Sequence, residues 1–100
     1  MINNNERILN SALAQTVRRL RNKRELSQEE LALLASVDRT YISGIERARR
    51  NITVATLERL IPHLTDSTME FFQELCNDLE AKSGHAEDHP NMIKVINALR

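Results

Sequence analysis

Residues Ser27–Glu46 read SQEELALLASVDRTYISGIE, and this stretch decides the fold. Ser27 and Glu30 have the spacing of a capping box, in which the serine side chain accepts from the third helical amide and the glutamate reaches back to the serine amide. A helix therefore starts after Ser27. Leu31, Ala32, Leu34 and Ala35 supply its buried side. Ser36-Val37-Asp38 reads as a turn, with Asp38 as a fresh N-cap. A second short helix follows, from Arg39 to about Arg47. Ile42 and Ile45 face inward, leaving Arg39, Thr40, Ser43, Gly44 and Arg47 outside and Tyr41 at the boundary. Gly44 is informative there. Glycine inside a helix costs about 1 kcal/mol relative to alanine, so its place on the outer face suggests close approach by another group.

Two short helices joined by such a turn form a helix-turn-helix. An α-helix with its side chains fits the major groove of B-DNA, about 12 Å wide. The first helix of the pair lies across the backbone, and the second turns its outer face to the base edges. Leu31, Ala35, Val37, Ile42 and Ile45 would fix the angle between them. The expected partner is double-stranded DNA. Arg39 suits base reading, because a guanidinium can bridge O6 and N7 of guanine.

The flanking sequence is also helical. Leu9, Leu13, Val17 and Leu20 lie on one face of a helix from about Glu6 to Lys23, with Asn5 as its cap. Arg18, Arg19, Arg21, Lys23 and Arg24 crowd its end, either answering the helix dipole or facing phosphates. Arg47-Ala48-Arg49-Arg50-Asn51 is a polar loop. Thr53 caps a fourth helix carrying Val54, Leu57, Leu60, Ile61 and Leu64, with Pro62 near its end. Ser67 and Glu70 offer another capping box for a fifth, with Phe72, Leu75, Cys76 and Leu79 on its apolar side and Met69 and Phe71 beside them. Lys82–Asn91 reads as a linker, and Met92, Val95, Ile96 and Leu99 as a terminal amphipathic segment. The expected fold is all-α: a compact five-helix bundle over 6–81, then a linker and C-terminal segment over 82–100.

Composition agrees. The chain has 100 residues, two glycines, two prolines, 3% aromatics and 28% charged residues. It lacks long β-branched runs. One cysteine, Cys76, excludes an internal disulfide, and a lone buried thiol suits a reducing cytoplasm. MINNNERILN lacks the basic start and apolar core of a signal peptide, and no run of about 18 apolar residues suggests a membrane span. The expected location is the cytoplasm, on DNA. Net charge is zero, but residues 1–50 hold ten Lys/Arg against six Asp/Glu and residues 51–100 hold four against eight. Such asymmetry suggests one anion-facing side.

The stretch LSQEELALLASVDRTYISGIERARRNITVATLERL resembles the Cro/phage-repressor-type, or XRE, helix-turn-helix family over roughly Val17 to Leu64. RTYISGIERARRN, Arg39 to Asn51, resembles the controller proteins of bacterial restriction–modification systems. That resemblance implies a homodimeric regulator that binds a palindromic operator and controls an endonuclease gene and its own. It implies a phosphate contact for Gln28 and base reading for Arg39 and Thr40, with Tyr41, Ser43 and Gly44 on or beside the same surface. Arg47, Arg49, Arg50 and Asn51 match a loop that contacts the DNA backbone. Glu46 reads as structural, paired with an arginine of the first helix. The sequence departs from the family's habit at Ser36 and Ala48, where glycine is common.

Phe71, Phe72, Leu75, Leu79 and the Met92–Leu99 segment are expected to build the dimer interface, with Glu70, Glu74, Asp78 and Glu80 facing away from phosphates. RNA polymerase is a further candidate partner, recruited or blocked by the same docking. An antitoxin whose tail binds a toxin is the alternative reading. An enzyme is not expected, nor a cofactor or metal. His63, His85 and His89 lack a metal-ligand frame, Cys76 reads as core packing, and there is no nucleophile elbow or phosphate loop.

Overall fold

The computed structural model describes residues 4–83. Helix α1 (Asn4–Lys23) runs across the molecule, followed by α2 (Gln28–Ala35), α3 (Arg39–Glu46), α4 (Val54–Leu64) and α5 (Thr68–Ser83). The described residues contain no strand. α1 packs on α5 and α3, α2 packs on α3 and α4, and α4 closes against α5. The five expected helices are present. Asn5 lies inside α1 rather than capping it, and α5 continues to Ser83, so the expected linker's first two residues are helical. The Met92–Leu99 segment, His85 and His89 lie outside the described residues.

The core follows the helical periodicity. Leu13, Val17 and Leu20 of α1 meet Leu31, Ala32 and Ala35 of α2, Ile42 and Ile45 of α3, Leu60, Ile61 and Leu64 of α4, and Phe71 and Leu75 of α5. Apolar burial of this kind is the main force holding a small domain together. Several expected inner positions differ: Val54 of α4 is 74% exposed, and Phe71 rather than Phe72 fills the core side of α5. Leu9 is 45% exposed and Leu34 is 52% exposed. Leu9 precedes Ala12, the first buried residue of α1 among those described. Ala35, Leu31 and Ala32 already fill the inner side of the two-turn α2, so Leu34 points out.

Capping sets the helix starts. Ser27 and Glu30 form the full capping box, and Thr53 accepts from the Thr56 amide. At α5 the Ser67 hydroxyl accepts from the Glu70 amide, but the Glu70 carboxylate accepts from the Asp66 amide, one residue earlier than in a capping box. Asp38 occupies the N-cap of α3 without a side-chain cap bond.

The first three helices end in the same way, on a residue in the left-handed region that carries a Cβ: Glu25, Ser36 and Ala48, each at φ 58°. The following amide then reaches back five residues, from Leu26 to Arg21 O, Val37 to Ala32 O and Arg49 to Gly44 O. This is the long bond of a Schellman ending, usually made with glycine. Ser36 and Ala48 thus adopt the glycine-type conformation that the family pattern implies, without the glycine.

Candidate nucleic-acid interface

Helix α3 is fixed from below. Ile42 and Ile45 are buried, and Glu46 at its end is 4% exposed. Burying a carboxylate is costly unless it is paired and hydrogen-bonded. Arg21 of α1 supplies a two-pronged partner, with Nε 2.6 Å from Oε2 and Nη2 2.9 Å from Oε1. Gln28 of α2 donates to Oε1 at 3.1 Å, and Arg18 donates to the Glu46 carbonyl at 3.0 Å. The bonds to Glu46 push the Arg21 pKa up, against the opposing effect of burial. One carboxylate therefore ties α1, α2 and α3 together and sets the angle of the helix-turn-helix. This is the structural role expected of Glu46.

Gln28 is half-buried and turned toward Glu46 rather than wholly outward. Its amide has a second hydrogen to offer elsewhere. Arg39 and Thr40 are exposed at the start of α3, while Tyr41, Ser43 and Gly44 are partly covered. The Tyr41 hydroxyl donates to the Asn51 carbonyl at 3.1 Å, and Asn10 of α1 donates to the Asn51 side chain at 3.3 Å. The loop is thereby held against α3 and α1. The Arg50 guanidinium lies over the Tyr41 ring, 5.6 Å from its centroid, within cation–π range. Arg47 lines a groove with Ser11, Gln15 and Arg18 of α1.

The charges divide by use. Arg19 bonds Glu74 at 2.7 Å and Asp78 at 3.0 Å, Arg21 bonds Glu46, and Arg24 bonds Asp66 at 2.7 Å. The cluster at the end of α1 is largely spent inside the molecule. Asp78 is buried, and Thr16 donates to it at 2.6 Å. Desolvation works against the Arg19 charge, but the hydrogen bonds and charges of Asp78 and Glu74 outweigh it and raise its pKa. Asp78 and Glu74 are therefore not a free acidic surface. They bind α5 to α1. In contrast, Arg39, Arg47, Arg49 and Arg50 are exposed and form no ion pair among the described residues.

The dimer expectation is corrected in part. Phe71 is 0% exposed and Leu75 is buried, both packed within the subunit's own core. Phe72 is 36% exposed and stands edge-on to Phe71, with centroids 5.7 Å apart. Leu79 is half-buried against the core. Cys76 is half-buried, and burial first, then the Glu80 charge, raise its thiol pKa, which keeps it in the unreactive form.

Residues 17–61 match the Helix-turn-helix family. Control protein C.BamHI of Bacillus amyloliquefaciens is 43% identical over 58 residues, 57% of this chain and 68% of that protein. The crystal structure of the restriction–modification controller protein C.Esp1396I superposes with a TM-score of 0.68 at 38% identity, over 71% of this chain and 93% of that one. The chain belongs to the helix-turn-helix family of restriction–modification controller proteins. Control protein C.SmaI of Serratia marcescens is 47% identical over 55 residues, 55% of this chain, and the match spans just 66% of that relative's length. C.Esp1396I has also been solved as a tetramer in complex with its natural 35 base-pair operator. Controller proteins are DNA-binding transcription regulators, and no described helix of this one is long and apolar enough to cross a membrane.

Sequence reasoning missed Asn10, Thr16 and the seat of Arg50. Asn10 and Thr16 meet partners 41 and 62 residues away, and no local pattern announces such a contact. The Gly44–Arg50 pair carried a signal, a glycine on a helix face, but nothing in the sequence says that the approaching group is Arg50 of the same chain.

Proposed function

We propose that this controller protein binds a palindromic operator as a homodimer and regulates restriction–modification genes together with its own gene. One observation carries this reading. Arg19, Arg21 and Arg24, at the end of α1 and just beyond it, are engaged in ion pairs within the chain, whereas the arginines of α3 and its loop stand exposed without one among the described residues. Arg39 and Thr40 read base edges, with Tyr41 and Ser43 beside them. Arg47, Arg49, Arg50 and Asn51 meet the DNA backbone. Gln28, steadied by Glu46, offers its second amide hydrogen to a phosphate.

A single helix-turn-helix covers few base pairs, and a two-fold dimer reads two half-sites about 34–36 Å apart. With Phe71 and Leu75 internal, the α5 part of the dimer face falls to Phe72 and Leu79. The operator-bound tetramer of C.Esp1396I supports assembly on DNA. RNA polymerase remains the partner through which a bound dimer would raise or lower transcription. Footprinting on the DNA upstream of the protein's own gene tests the proposal. Two protected half-sites related by a two-fold axis are expected. Protection of a single half-site, with a light-scattering mass of one chain at micromolar concentration, would remove the dimer.

A further inference from the structure

Gly44 lies in the middle of α3, where alanine would favour the helix. Its own chain explains the choice. A Cβ at Gly44 would collide with Cγ of Arg50 and would lie 3.4 and 3.6 Å from Arg50 Cβ and Cδ. The arginine stem therefore occupies the notch left by the missing side chain. Seated there, its guanidinium reaches the Tyr41 ring. Tyr41 is in turn held through its hydroxyl to Asn51, and the Arg49 amide donates to the Gly44 carbonyl at 2.9 Å. Loop and helix are thus joined on both sides of Arg50.

We propose that Gly44 is a positioning residue: it seats Arg50 on the outer face of α3 before DNA arrives, and does not itself read a base. This rests on the reading that Arg50 contacts DNA. A long exposed arginine loses rotamer freedom when it binds, and a seat fixed in advance lessens that loss. Arg50 forms no ion pair among the described residues, so its charge is available to a phosphate. Helix stability is given up at Gly44 for the placement of one cation.

The test compares the full chain with Gly44→Ala, Arg50→Ala and the double variant. Binding is measured to a duplex of the upstream DNA and to a random duplex, over a range of salt. Melting temperature and proton NMR shifts of the Arg50 side chain are recorded without DNA. In the unsubstituted protein the Arg50 methylene protons near the Tyr41 ring should be displaced by its ring current. Gly44→Ala should abolish that displacement and weaken both duplexes several-fold, while a cooperative melting transition shows that the variant is folded. In the Arg50→Ala background it should weaken them no further. Arg50→Ala should lower the salt slope by about one. An Arg50→Ala protein with unchanged affinity and slope overturns the DNA contact itself. Ordinary Arg50 shifts in the unsubstituted protein overturn the seat. A Gly44→Ala loss that persists undiminished without Arg50 overturns the positioning role.

Discussion

Arg21 and Glu46, 25 residues apart in sequence, form a two-pronged ion pair that locks α3 to α1, with bonds of 2.6 and 2.9 Å. Both side chains are largely shielded from water. Removing one partner strands the other, and breaking such a buried pair costs about 3–5 kcal/mol. Glu46→Ala should therefore lower stability by about 3 kcal/mol in urea unfolding. A double-mutant cycle with Arg21→Ala should show strong coupling. Additive losses would mean that the pair contributes nothing as a pair.

The left-handed endings make an opposite prediction. A residue with a Cβ in this region costs about 1 kcal/mol, which glycine avoids. Ala48 and Ser36 both stand there. Ala48→Gly should raise Tm by a few degrees and leave the DNA footprint unchanged. Ala48→Val should lower it. Calorimetry on the three proteins gives the order directly.

Thr16 and Asp78 tie α1 to α5 through a bond of 2.6 Å between buried groups. Thr16→Val keeps the shape and removes the donor. Leaving a buried acceptor short of a partner costs about 1–3 kcal/mol, so urea unfolding should shift by that amount. Thr16→Ser should recover most of it, because the hydroxyl is retained. A valine variant as stable as the starting protein would refute the assigned bond.

Glu30 gives a pH dependence. Its bonds to the Ser27 backbone amide, first, and to the Ser27 hydroxyl hold its pKa below the usual carboxylate value. A carboxylate with a lowered folded pKa contributes stability that is present above its ordinary unfolded value of about 4.3. That contribution is lost as pH falls through the lowered folded value. The stability difference between the unsubstituted protein and Glu30→Gln should therefore be largest near neutral pH and shrink as the solution is acidified below about pH 4. A difference that grows on acidification would reverse the assignment.

Much of the fold was legible because its signals are local. Ser27 with Glu30 marks one helix start, Thr53 another, and the spacing of Leu13, Val17 and Leu20 reveals an inner face. Leu9 and Leu34 were misread for a common reason. Periodicity gives the direction of a side chain but not whether another helix covers it. Phe71 and Phe72 show the same limit, since adjacent aromatics leave open which one enters the core. In the candidate site, Arg39 and Thr40 could be placed from the helix register. The difference between Arg19, bonded to Glu74 and Asp78, and Arg50, exposed over Tyr41, depends on contacts made by folding. Charge counts over the two halves of the chain could not show it.

The account's central claim is that the outer face of α3 reads DNA sequence. Its most direct test is the affinity of Arg39→Ala for the footprinted upstream DNA relative to random DNA of the same length and salt. A lost bidentate base contact is worth about 1–3 kcal/mol of discrimination, so the upstream-to-random preference should fall about 5- to 150-fold. Affinity for random DNA should change far less. Equal losses on both duplexes would contradict base reading by Arg39.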